Sequence, residues 1–246
     1  MHTYQRILGA TAACLAVMLG SSACSMLGGS STPSSNAGAV SSTPSPTGVS
    51  ADALASNSVA DLGSAASVRL VGNVTSSSRK MTLNLQLVAG KGCAGTIAMG
   101  SKGSFKMTLL GTKLWVLPDK AFWVGVGAHG SKLTEIEGKY IGTTISSKAF
   151  GNFATLCDAK TLAGHFGNAS GMTRGAGSTI DGQSVVAVQD PVQGTAYITD
   201  TTTPHLVRLS MPGASGGQID FLDYNKPAVI TAPHASLTVP GSKFGF

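Results

Sequence analysis

The stretch Lys80-Met81-Thr82-Leu83-Asn84-Leu85-Gln86-Leu87 decides the architecture. Met81, Leu83, Leu85 and Leu87 alternate with Thr82, Asn84 and Gln86, a period of two that puts the apolar side chains on one face of an extended strand. The same alternation continues on both sides. Val68, Leu70 and Val74 interleave with Ser67, Arg69 and Asn73, and further along come Ile97 with Met99, then Phe105 with Met107 and Leu109. Turn-forming clusters separate these runs: Ser76-Ser77-Ser78, Gly90-Lys91-Gly92, Gly100-Ser101-Lys102-Gly103 and Gly111-Thr112. Residues 112–117 supply a fifth strand that Pro118 ends. Strands joined by short turns, apolar on one face and polar on the other, make an antiparallel meander.

Outward from the meander the periodicity changes. Before it, residues 51–63 carry Leu54, Val59 and Leu62, with Ser50 placed as an N-cap and Gly63 as a stop, which predicts an amphipathic helix. After it, residues 119–127 and 132–137 read as short helices. Residues 148–166 read as a longer one, with Phe150, Phe153, Leu156 and Leu162 at helical spacing. Alternation returns at 184–189, 194–199, 205–211 and 218–224, and 229–231 reads as a short edge strand. Helix, strands, helices, strands in that order predict an α+β fold, a curved antiparallel sheet packed around helices on one face.

The N-terminus reads as an export signal. Arg6 gives a short positive region, 7–20 form an almost uncharged apolar stretch, and Ser21-Ser22-Ala23 precede Cys24. The apolar stretch is shorter than the roughly 20 residues a spanning helix needs. The small residues before Cys24 predict cleavage after residue 23 with lipid attached to the Cys24 thiol. Ser21 stands where such sites usually carry Leu, so an ordinary cleavage that leaves a plain thiol is the alternative. Residues 24–50 are rich in Ser, Thr, Pro and Gly and hold too little apolar surface to order a chain, which makes them a linker. The expected organisation is a signal peptide over 1–23, a lipidated cysteine and linker over 24–50, and a folded domain over 51–246. An extracytoplasmic protein held to the cell membrane through Cys24 follows.

Only 11% of the residues are charged and 32 are glycine, a profile that suits an exported β protein. The net charge of +6 comes from lysines and arginines scattered singly, so no nucleic-acid partner is expected. Of the four cysteines, Cys14 leaves with the signal peptide and Cys24 is the acylation site. Cys93 and Cys157 remain as one pair in a compartment that permits disulfides, and they are expected to be bonded.

Catalytic constellations are sparse, and a non-enzymatic protein without cofactor or metal is expected. Gly213-Ala214-Ser215-Gly216-Gly217 matches a nucleophile-elbow pattern, but it falls between two predicted strands and not on a strand-to-helix turn, so it reads as a hairpin loop. His129, His165, His205 and His234 show no metal-ligand spacing. Asp220 and Asp223, three apart on a strand, point to opposite faces. The apolar inventory is more informative. Trp115, Phe122, Trp123, Phe150 and Phe153, with Leu83, Leu85, Ile97, Met99, Phe105 and Met107, fall where sheet meets helices. They form either a filled core or the wall of a hydrophobic cavity, and periodicity alone leaves both open.

Several short segments resemble the actinobacterial lipoproteins of the LppX/LprG kind, which are similar to the carriers LolA and LolB: Ser67-Val-Arg-Leu-Val-Gly, Leu114-Trp-Val-Leu-Pro, Asp119-Lys-Ala-Phe-Trp, Lys139-Tyr-Ile and Asp181-Gly-Gln. The shared layout is signal peptide, lipobox cysteine, polar linker, opening helix and a half-barrel sheet cupping helices, covering about residues 51–232. The Cys93 and Cys157 pair and the altered lipobox depart from that pattern. The resemblance implies a monomeric, membrane-anchored protein whose cavity takes an acyl lipid or lipoglycan. A structural or interaction module with a filled core is the alternative.

Overall fold

The computed structural model describes residues 48–76, 79–127, 130–165, 170–192, 194–214 and 216–244. Cys24, most of the linker, Ser215 and His129 lie outside the described residues.

Helix α1 (Ala51–Ser64) opens the fold, and the Ser50 hydroxyl accepts from the Ala53 N–H at 3.2 Å as its N-cap. The meander follows as β1 (Ser67–Ser76), β2 (Arg79–Val88), β3 (Gly92–Ala98), β4 (Ser104–Leu110) and β5 (Lys113–Pro118). Helices α2 (Lys120–Gly125) and α3 (Ser131–Ile136) lead to β6 (Tyr140–Thr144), and α4 (Gly151–Ala154) and α5 (Ala159–His165) come next. The second strand group is β7 (Thr173–Ile180), β8 (Gln183–Asp190), β9 (Gly194–Thr199), β10 (Leu206–Met211) and β11 (Gly217–Leu222), and β12 (Thr238–Pro240) ends the order.

Among the described residues twelve strands join one open sheet, ordered β12-β6-β5-β4-β3-β2-β1-β11-β10-β9-β8-β7. Every pairing is antiparallel except that of β12 with β6. The second strand group thus attaches to the first through β1 and β11, with Leu70 opposite Phe221. Register carries the alternation across the meander. Leu70, Leu85, Gly95, Met107, Val116 and Ile141 stand opposite one another strand by strand, and Val68, Leu87, Cys93, Leu109 and Leu114 form the next row. The non-glycine members of both rows are buried. Irregularities between Arg174 and Gly177 and between Leu206 and Arg208 add local twist to the β7–β10 half. The fold class expected from the sequence, a curved antiparallel half-barrel with helices on one face, is the one observed.

Four local readings need correction. The single helix over 148–166 is broken: Asp158 is extended, and its carboxylate accepts from the Lys160 N–H at 3.1 Å and the Thr161 hydroxyl at 2.6 Å, starting α5 afresh. Residues 229–231 form no strand, and the edge position belongs to β12. Strands β6 and β7 were not expected, because Ile141 is the buried residue of β6 and β7 is an edge strand with no buried residue. A strand that buries so little needs no apolar alternation. Met99 lies past the end of β3, half-buried.

Candidate functional site

Asp119 seats the aromatic side of the core. Its carboxylate accepts from the Phe122 N–H at 2.7 Å, capping α2, and from the Ser104 N–H and hydroxyl at 2.8 Å each, tying that cap to β4. Burial pushes this carboxyl upward, but these hydrogen bonds outweigh it and hold the group below the ordinary carboxylate range. Gly103, at φ +85°, leaves room for the approach, since a Cβ there would stand 2.3 Å from the Phe122 nitrogen. So capped, α2 turns Phe122 and Trp123 inward.

There they meet a packed cluster. The Phe105 ring lies edge-on to Phe122 at 5.9 Å, Phe150 at 5.9 Å and Phe153 at 5.0 Å, and Phe122 stacks on Phe150 at 5.8 Å. Phe105, Trp123 and Phe150 are each only 1% exposed. Leu83, Leu85, Ile97 and Met107 are buried in the same cluster, with Met99 and Phe153 packed at its margin. These residues therefore fill the space between sheet and helices. Trp115 is not among them: Leu114 and Val116 on either side face the core, and the indole lies on the opposite face beside Gly142 and Thr238.

The disulfide joins Cys93 of β3 to Cys157 in the 3₁₀ turn before α5, with Cα atoms 5.1 Å apart. It staples helix to sheet as expected. An open cleft of about 440 Å³ runs past it, bounded by Gly63, Leu87, Lys91, Cys157 and Lys160.

A smaller, more apolar space lies elsewhere, under α1. Where α1 passes over β8–β10 it presents Ala55, Ser58 and Val59, side chains too small to fill the gap. Val188, Ala196, Ile198, Leu206 and Leu209 line the sheet side, Met172 closes one margin, and about 60 Å³ is left empty. Polar clips hold α1 in place around it. Asp52 accepts from the Met172 N–H at 2.7 Å and the Gly171 N–H at 3.3 Å. The Arg174 guanidinium bonds the Val49 carbonyl at 3.2 Å and pairs with Asp200. Asp61 meets His205 at 2.7 Å, and the His205 ring stacks on Tyr224 at 4.7 Å. Burial, reinforced by the Asp61 charge, raises the Tyr224 phenol above its ordinary value, so it stays protonated and donates to the Leu206 carbonyl.

Asp52, Asp61 and His205 were missed as a set because the Asp61–His205 pairing spans 144 residues. The one local signal was the run of small residues on the inward face of α1. Asp220 pairs with Arg208 while Asp223 pairs with Arg69 and Lys226, so these carboxylates do not act on one another. Among the described residues no group of three or more His, Cys, Asp or Glu side chains is placed to hold a metal ion, and no helix is long and apolar enough to cross a membrane.

No family model and no curated protein matches this chain. Solved structures do. The chain is similar to LprF from Mycobacterium bovis, at 16% identity and a TM-score of 0.53, over 74% of this chain and 96% of that one. An uncharacterized conserved protein from Thermus thermophilus matches at 6% identity and a TM-score of 0.35, over 76% and 96% of the two chains. A Vibrio parahaemolyticus domain ascribed to an outer membrane lipoprotein-sorting protein matches at 9% and 0.20, over 66% and 86%. The LprF likeness shows the fold, and in the fold it bears out the resemblance read from the sequence.

Proposed function

We propose that this chain is an exported lipoprotein, anchored through Cys24, that binds the acyl part of an envelope lipid without catalysing a reaction. The observation that carries this reading is the small apolar space between α1 and β8–β10, in a half-barrel similar to that of LprF. Its volume of about 60 Å³ is less than half of the ~150 Å³ that accommodates benzene in an engineered cavity. Acyl chains therefore enter only if the space widens. Its boundaries suit that step: Met172 and Leu209 can change rotamer, while Leu54 and Leu62 keep α1 seated in the core on either side of the space. The binding residues proposed here are Ala55, Val59, Val188, Ala196, Ile198 and Leu206, in place of the aromatic cluster.

A second reading, a structural or interaction module of the envelope, is favoured by one observation, the filled aromatic core. Native mass spectrometry of protein purified from a bacterial host separates the two. Copurifying lipid that Ala55→Phe removes supports carriage, whereas bare protein supports the module.

A further inference from the structure

The strand registers bring several connections to one end of the sheet. Ser76 pairs with Arg79, Ala98 with Ser104, Asp190 with Gly194 and Met211 with Gly217, so the β1–β2, β3–β4, β8–β9 and β10–β11 connections share a rim. Strand β5 also ends there, opposite Phe105, and hands the chain to α2.

This rim gathers exposed apolar side chains. Val192 at the β8–β9 turn is 84% exposed, Val126 just after α2 is 57%, Val124 within α2 is 43%, and Leu237 just before β12 is 47%. Among the described residues the other large exposed apolar side chains are Ile145, beyond the far end of β6, and Val229, in the strand-free stretch after β11. Isolated surface valines need no explanation, but four of these six side chains fall along one rim, spaced by the sheet order at the β8–β9 turn, the end of α2 and the start of β12. Lys80, Lys102 and Lys120 are exposed on the same rim. Lysines also occur on the other rim, at Lys91 and Lys113, so the apolar residues carry the argument.

Two further features converge on this edge. The apolar space under α1 reaches the base of the Val192 turn, because Asp190 and Gly194 both line it. The N-terminal segment also joins the domain here: Val49 is held by Arg174, and Asp52 by the backbone just before β7, which starts on this rim opposite Gln189. The 23 residues from Ser25 to Thr47 separate that point from Cys24 in the sequence.

We infer that this rim docks on a lipid bilayer, with the Val192 turn and the Val124–Val126 end of α2 seated in the interfacial layer. The orientation brings the α1 space to the surface that supplies acyl chains. The inference rests on the anchored lipid-binding reading for its purpose, but its geometry is independent of bound cargo.

The test uses the full-length chain on phosphatidylcholine vesicles, carrying an environment-sensitive fluorophore on Val192→Cys, Val126→Cys or Ile145→Cys. These side chains are exposed, so the substitutions leave the core intact. Nitroxide-labelled phosphatidylcholine in the bilayer should quench the probes at 192 and 126 about twofold or more, as expected for insertion of roughly 5–10 Å, and leave 145 unchanged. Equal emission from all three with and without nitroxide lipid overturns the inference, as does quenching confined to 145. Lipid extracted from the same purified protein reads the carrier proposal separately. Quenching without extractable lipid keeps the docking face and removes carriage, and extractable lipid without quenching does the reverse.

Discussion

His205 Nδ1, just before β10, lies 2.7 Å from the carboxylate of Asp61 in the C-terminal half of α1. The contact links the helix to the sheet over the second strand group, and Tyr224 backs the imidazole from its other face. Both partners are more than two-thirds buried, so the pair is better insulated than a surface contact. Asp61→Asn or His205→Ala should each lower stability by about 1 kcal/mol and speed amide exchange across α1 more than in β2–β4. Unchanged exchange in α1 would mean that the helix is held by its apolar residues alone.

Filling the space under α1 should abolish ligand uptake while sparing the fold. Ala55→Phe places a ring where about 60 Å³ is free, and the expected result is at least a tenfold drop in copurifying lipid. Overpacking should cost about 1–3 kcal/mol, read by urea denaturation. Retained lipid in this variant would move the binding site elsewhere, with the cleft beside the disulfide as the next place to look.

The aromatic cluster should behave as core. Phe105→Ala removes a ring in contact with three others and should destabilise by about 3–5 kcal/mol. Trp115→Ala, on the other face, should cost only about 1–2 kcal/mol. Comparable losses at the two positions would contradict the placement of the indole.

Separating Cys93 from Cys157 opens a crosslink across 64 residues and should lower stability by about 4 kcal/mol if the loss is mainly loop-closure entropy. A Cys93→Ala, Cys157→Ala double variant should show this as an earlier denaturation midpoint in non-reducing buffer.

Acid should weaken the junction between β1 and the chain that follows β11. Asp223 is hydrogen-bonded by Lys226 and Arg69, and these partners hold its carboxyl below the ordinary value. A depressed folded-state value means that the stabilising contribution is present above the ordinary carboxylate range and is lost as pH falls through the lower one. Asp223→Asn should flatten that part of the stability–pH profile, and an unchanged acid limb would assign it to other carboxylates.

How much of this was legible in advance follows from what each element buries. Strands β1–β5 announced themselves because each buries one face, and Leu83, Leu85 and Leu87 record that in a period of two. Helix α1 was legible from its cap and its Leu54 and Leu62 contacts. Strands β6, β7 and β12 were silent because they bury little and are completed by backbone pairing, which leaves almost no side-chain signature. The break at Asp158 was hidden for a similar reason, since a cap inside an otherwise helical apolar spacing does not disturb the spacing.

The sequence by itself determined nine of the twelve described strands, the opening helix, the cysteine pair and the class of residue at the interface between layers. These depend on local periodicity and on a short inventory of reactive side chains. Tertiary structure alone decided which part of that interface is filled and which is empty. Phe105, Phe122, Phe150 and Phe153 come from β4, α2 and the α4 region and pack ring against ring, whereas Ala55 and Ser58 meet Ala196 and Ile198 and leave a space. Whether facing side chains fill a space depends on summed volumes from segments far apart in the chain, and no period in the sequence encodes that sum.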